Sequence, residues 1–115
     1  MKEEAGMATK EGIDPVLQDL KQRLIARLGD RLVRLVLFGS RARGDYDSDS
    51  DIDIAVVVKG LQRDEKMSIL DEIAEVELEH LVPVSTFIVS QEEYNRLLER
   101  ERRIALDIKE RGVPL

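Results

Sequence analysis

Asp51-Ile52-Asp53-Ile54 runs on into Ala55-Val56-Val57-Val58, so two carboxylates interrupt a segment otherwise composed for burial. Successive side chains of a strand point to opposite faces, which puts Asp51 and Asp53 together on one side. An unpaired carboxylate carried in among Ile52, Ile54 and Val56 is costly. A bound cation is the simplest compensation, and it marks Asp51 and Asp53 as candidate metal ligands.

The residues just upstream supply a second half to this arrangement. In Leu37-Phe38-Gly39-Ser40-Arg41-Ala42-Arg43-Gly44 the apolar run stops at a glycine and a serine. Their backbone amides, with the Ser40 hydroxyl, suit a phosphate where a short helix begins. Arg41 and Arg43 follow one turn later; they can contact phosphate oxygens as a leaving pyrophosphate gains charge, or salt-bridge Asp45, Asp47 or Asp49. Phosphoryl transfer demands little covalent chemistry from protein and much charge stabilisation, commonly by divalent cations on carboxylates beside bound phosphates. Gly39, Ser40, Arg41 and Arg43 are therefore candidate nucleotide-binding residues, and Asp51 and Asp53 candidate catalytic residues.

The rest of the chain reads as one α/β (α+β) domain. Asp14 as N-cap and Pro15 at the first helical position open a helix carrying Leu17, Leu20, Leu24 and Leu28, closed by Gly29. Arg31 to Phe38 and Ile52 to Val58 read as strands around the glycine-serine turn. From Gln62 to His80 a long helix is expected, with Met67, Leu70, Ile73, Ala74, Leu78 and Leu81 on its apolar face. Pro83 breaks it, and Val84 to Val89 has the β-branched content of a third strand. Ser90 with Glu93 forms a capping box for a final helical region reaching toward Gly112 with Tyr94, Leu97, Leu98, Ile104, Ala105 and Ile108. A small mixed sheet packed with helices accounts for this order. Residues 1–12 are charged and read as a flexible N-terminal tail, with the domain spanning 13–115.

Composition narrows the chemistry. With 24 acidic and 18 basic residues the formal charge is −6, which argues against a broad nucleic-acid-binding face. Aromatics are 3% and Trp is absent, so a base-stacking platform is not expected. The absence of cysteine removes disulfides, thiolate metal sites and cysteine nucleophiles. No segment has the roughly 18–20 apolar residues of a membrane span, and a cytoplasmic protein is expected. The alternating Asp45, Asp47, Asp49 and Asp51 suggest a calcium loop, but a register from Asp45 needs Gly at Ser50 and Glu at Val56. Asp45, Asp47 and Asp49 read instead as solvated turn residues, Tyr46 as a loop residue, and His80 as structural, near a helix C-terminus.

Gly39-Ser40, ten intervening residues and then Asp51-x-Asp53, within the wording Gly-Ser-Arg-Ala-Arg-Gly, closely resembles the minimal nucleotidyltransferases of the DNA polymerase beta superfamily. The resemblance covers about Asp14 to Leu115 and implies a nucleotidyltransferase fold, ATP as substrate and Mg2+ as cofactor. Gly39 and Ser40 would hold the β- and γ-phosphates, and Asp51 and Asp53 would ligate magnesium. Many such proteins pair with a helical HEPN toxin, and the likeness implies an antitoxin that adds AMP to a tyrosine of that partner.

The pattern departs from the family at one position. A third carboxylate, which helps bind metal and deprotonate the acceptor, is commonly carried on a later strand; Ser85 takes its place here, and a serine cannot replace it as base near neutral pH. Glu77 or Glu79 is a possible substitute. The alternative is a catalytically degenerate nucleotide-binding module that neutralises its partner by steric cover. A small-molecule transferase is disfavoured because 115 residues leave no room for an acceptor domain. Homo- and hetero-oligomers both remain open.

Overall fold

The computed structural model describes residues 13–44 and 51–115. Helix α1 (Asp14–Leu28) buries Val16, Leu17, Leu20, Leu24 and Leu28, the stripe its leucine spacing predicts. It starts one residue earlier than the Asp14-Pro15 pair suggests. Ile13 is the N-cap and Asp14 and Pro15 fall in the first turn, where an acid meets the helix dipole and proline's missing N–H costs nothing. A single 3-10 turn (Gly29–Arg31) leads into β1 (Leu32–Phe38). The short α2 (Ser40–Arg43) follows, then β2 (Ile52–Val58), α3 (Arg63–His80), β3 (Val84–Ser90), α4 (Gln91–Glu99), α5 (Arg103–Arg111) and β4 (Val113–Pro114). The expected tail over 1–12 and the loop carrying Asp45, Tyr46, Asp47 and Asp49 lie outside the described residues.

The four strands form one mixed sheet in the order β3-β2-β1-β4. β1 runs antiparallel to β2 and β4, while β2 and β3 are parallel; α3 supplies the crossover that a parallel pair requires. On one face, α1 and α3 cover Leu35, Leu37, Ile52, Ile54, Val56 and Val58. On the other, Tyr94 of α4 and Ala105 and Ile108 of α5 pack with Val36, Ala55, Val57 and Val89. β2 is thus buried on both faces from Ile54 to Val58, which explains why its sequence is a continuous apolar run there.

Three local expectations need correction. The buried residues of α3 are Ile69, Ile73 and Val76; Met67, Ala74, Leu78 and Leu81 are exposed. The helix carries two apolar stripes, and the β-branched one meets the sheet. The final helical region is two helices, interrupted where Glu101 takes a left-handed backbone (φ 54°) and the N–H of Arg102 donates to the Leu97 carbonyl at 2.9 Å. Beyond them, Val113–Pro114 adds the unexpected strand β4 beside β1. Half of the expected Ser90–Glu93 capping box is present: the Ser90 hydroxyl accepts from the Glu93 N–H at 3.1 Å, while the Glu93 carboxylate pairs with Arg96 instead of returning to the Ser90 backbone. His80 is structural as expected: its Nε2 lies 2.9 Å from Asp19 Oδ2, tying α3 to α1.

Candidate active site

Strand register brings the sequence-distant halves of the site together. Phe38, the last residue of β1, pairs with Asp53, so the chain leaving β1 turns directly over that carboxylate. Gly39 makes the turn at φ 76° and ψ −155°, a backbone region essentially closed to other residues. Glycine is needed there for a second reason, because a Cβ would collide with Oδ2 of Asp53. α2 then closes within one turn, the Gly44 N–H donating to the Ser40 carbonyl at 2.9 Å. Ser40 and Arg41 are half-buried and Arg43 is exposed.

On the other side of β2, Asp53 pairs in register with Ser85 of β3. The Ser85 hydroxyl donates to Asp51 Oδ2 at 3.2 Å. Ser85 therefore stands beside the aspartate pair, as the sequence suggests, and brings a hydroxyl where an acid was looked for. Glu77 and Glu79 have other tasks: Glu77 accepts the Val84 N–H at 2.8 Å and Glu79 pairs with Arg23 at 2.7 Å. Asp51 is exposed and Asp53 half-buried. Both lie on the sheet face opposite Ile52 and Ile54, the face that α5 covers farther along at Ala55 and Val57.

Burial pushes the Asp53 carboxyl above the usual carboxylate range, and the negative charge of Asp51 adds to the effect. Arg43 opposes it, and Asp107 of α5 reinforces it. A carboxylate held against burial and a like-charged neighbour gains from a cation. Two adjacent carboxylates with open solvent at Asp51 supply hard oxygen donors, which fit Mg2+.

Asp107 is the residue that sequence reasoning missed. Its Oδ2 lies 4.0 Å from Arg43 Nη1, and both residues line an open cleft of about 780 Å3 between α2 and α5, with Arg103, Ile104, Glu110 and Arg111. No spacing in the sequence links it to the motif, since only the packing of α5 on the sheet brings it near. A separate cluster, Asp19, Glu79 and His80, has potential ligand atoms within 4.8 Å of one another. Arg23 donates to both Asp19 and Glu79, so this cluster is an ion-pair network between α1 and α3.

Comparison with known proteins identifies the family and the fold. The family described as "Nucleotidyltransferase domain" matches residues 17–112. A Methanocaldococcus jannaschii protein named "Putative protein adenylyltransferase" is 35% identical over 74 residues, which are 64% of this chain and 75% of that protein. A crystal structure described as a "putative nucleotidyltransferase" from Sulfolobus solfataricus superimposes with a TM-score of 0.62 at 20% identity, covering 98% of this chain and 87% of the other. That last likeness is one of fold. Among the described residues, no helix is long and apolar enough to cross a membrane.

Proposed function

Because the chain belongs to the nucleotidyltransferase domain family, we propose that it transfers AMP from ATP to a tyrosine hydroxyl of a HEPN-type protein, as the antitoxin of a toxin–antitoxin pair. The observation that carries this reading is the meeting of Gly39, Asp51 and Asp53, with a glycine-only turn folded onto one of two paired carboxylates. The adenylyltransferase name of the Methanocaldococcus jannaschii relative supports AMP as the transferred group and a protein as the acceptor.

In this reading the Gly39-Ser40 turn holds the triphosphate tail and Arg41 and Arg43 offset its charge. Asp51 and Asp53 would hold Mg2+, which supplies charge neutralisation as the pyrophosphate leaves. The acceptor oxygen forms a bond to the α-phosphorus, the bond from that phosphorus to pyrophosphate breaks, and the hydroxyl proton passes to solvent. The open cleft lined by Arg43 and Asp107, both of which act on the Asp53 charge, offers space for the acceptor.

The test is incubation of the purified chain with ATP, Mg2+ and a HEPN partner, followed by intact-mass analysis. An added AMP on a partner tyrosine, lost with Asp51→Asn and with Asp53→Asn, is the expected result. An unmodified partner under all conditions rejects the activity. The register of Ser85 against Asp53 favours one second reading, a nucleotide-binding module that acts by steric cover. Neutralisation of the partner that survives the double Asn substitution would select it.

A further inference from the structure

α5 turns a row of three unlike side chains toward the open cleft beside the phosphate turn. Ile104, Asp107 and Arg111 follow at intervals of three and four, so they are neighbours on one face of the helix, and all three line the cleft. Ile104 is 38% exposed although apolar, while Asp107 is half-buried. The cleft volume, about 780 Å3, falls in the ordinary range of ligand sites. Arg43 lines it from α2, the helix that the Gly39-Ser40 turn opens, and its Nη1 is 4.0 Å from Asp107 Oδ2. An apolar side chain one helical turn from a carboxylate, beside the phosphate turn, matches an aromatic ring with a hydroxyl at its tip.

Transfer to a tyrosine needs a proton acceptor at this place. A phenol has an ordinary pKa of about 10, so near neutral pH the acceptor oxygen keeps its proton until a base takes it. Such a base contributes about 100- to 10,000-fold in rate. With Asp51 and Asp53 given to the cation, neither is free for the task. The Ser85 hydroxyl donates to Asp51, and Glu77 and Glu79 are engaged by the Val84 N–H and by Arg23. Three acids line the cleft, Glu101, Asp107 and Glu110. Glu101 and Glu110 are exposed, and of the three Asp107 is the one close enough for its charge to act on Asp53.

We propose that this cleft seats the acceptor tyrosine, its ring on Ile104 and its hydroxyl donating to Asp107, and that Asp107 is the proton acceptor of the transfer. As the phenolic oxygen bonds to the α-phosphorus, its proton moves to a carboxylate oxygen of Asp107 and from there to solvent. Pyrophosphate leaves with the electron pair of the broken phosphorus–oxygen bond. The assignment rests on the transfer reading and supplies from a helix the carboxylate that Ser85 does not provide.

Steady-state AMP transfer to the same HEPN partner at saturating Mg2+, read by intact mass, tests it. Asp107→Asn lowers kcat by about 100-fold or more with the KM for ATP unchanged, whereas Glu110→Gln, an equal loss of charge in the same cleft, leaves kcat within about twofold, because a solvent-exposed charge is screened. Formate added to Asp107→Ala restores part of the rate, as it does for a missing base and not for a missing structural contact. Ile104→Ala raises the KM for the partner and leaves kcat near wild type. A wild type that adds no AMP rejects the transfer reading and the assignment with it. A wild type that does, with Asp107→Asn equally fast or Asp107→Ala deaf to formate, overturns the role of Asp107 alone. A raised KM for ATP in Ile104→Ala gives the cleft to the nucleotide and overturns the seat proposed for the tyrosine.

Discussion

Gly39 meets two demands at once, a backbone angle closed to other residues and a carboxylate where a side chain would be. Gly39→Ala therefore costs about 1–3 kcal/mol for the backbone alone, and the collision with Asp53 adds to it. Thermal melts should show the loss, together with at least tenfold weaker nucleotide binding by calorimetry. Asp53 is expected to behave in the opposite way. A carboxyl whose folded pKa lies above its unfolded value costs stability once ionised, and that cost vanishes below the unfolded pKa. Asp53→Asn should raise the melting temperature of the metal-free protein at neutral pH, with the gain fading as the pH falls below about 4, the ordinary carboxylate value. On the proposed reading of the site, it should also abolish transfer and any stabilisation by Mg2+. A variant that melts lower than wild type at neutral pH would show that burial does not strain this carboxylate.

The elements differ in how much of them a local pattern determines. α1, β2 and the glycine-serine turn are legible because a leucine period, a β-branched run and a backbone break are each written in consecutive residues. α3 is not, because it offers two apolar stripes and only the sheet decides that Ile69, Ile73 and Val76 win over Met67, Leu78 and Leu81. β-branched side chains fill the flat surface over Ile54 and Val56. Strand β4 is too short to carry a period, and exists through its register with Val36 and Leu37. What fastens α3 to α1 was also invisible, since Arg23 reaches Asp19 within its own helix but Glu72, Glu75 and Glu79 across the gap. The Arg23 guanidinium, with His80, holds the Asp19 carboxyl below its usual range, and Arg27 with Arg23 does the same for Glu72. Carboxyls with depressed folded pKa values contribute stability above their unfolded values, about 4, and lose it as the pH falls through the folded ones. Melts across a pH series should therefore show a steeper acid loss for wild type than for Arg23→Met. Parallel curves would mean that these surface pairs contribute little.

At the scale of the whole molecule, the site joins four segments that are distant in sequence: the turn at Gly39, the aspartates of β2, Ser85 of β3 and Asp107 of α5. Three of these meet by strand pairing and were foreseeable from the sequence. Asp107 arrives only because α5 lays Ala105 and Ile108 on the sheet face that Asp53 shares. That placement makes α5 an electrostatic part of the site, with Asp107 and Arg43 acting on Asp53 in opposite senses. Removing each charge should move the Asp53 titration in opposite directions. Asp107→Asn takes away a negative charge, so Asp53 ionises more readily and titrates at lower pH; Arg43→Ala takes away a positive one, and the titration moves up. Carbon-detected NMR of the Asp53 carboxyl in metal-free protein reads both shifts, and higher salt should shrink them together. The two shifts bear on the proposed metal site as well. On that proposal, Asp107→Asn weakens Mg2+ binding less than Asp53→Asn does, because removing a negative charge nearby lowers the attraction for a cation. Shifts of one sign in both variants would mean that α5 acts on Asp53 through packing alone.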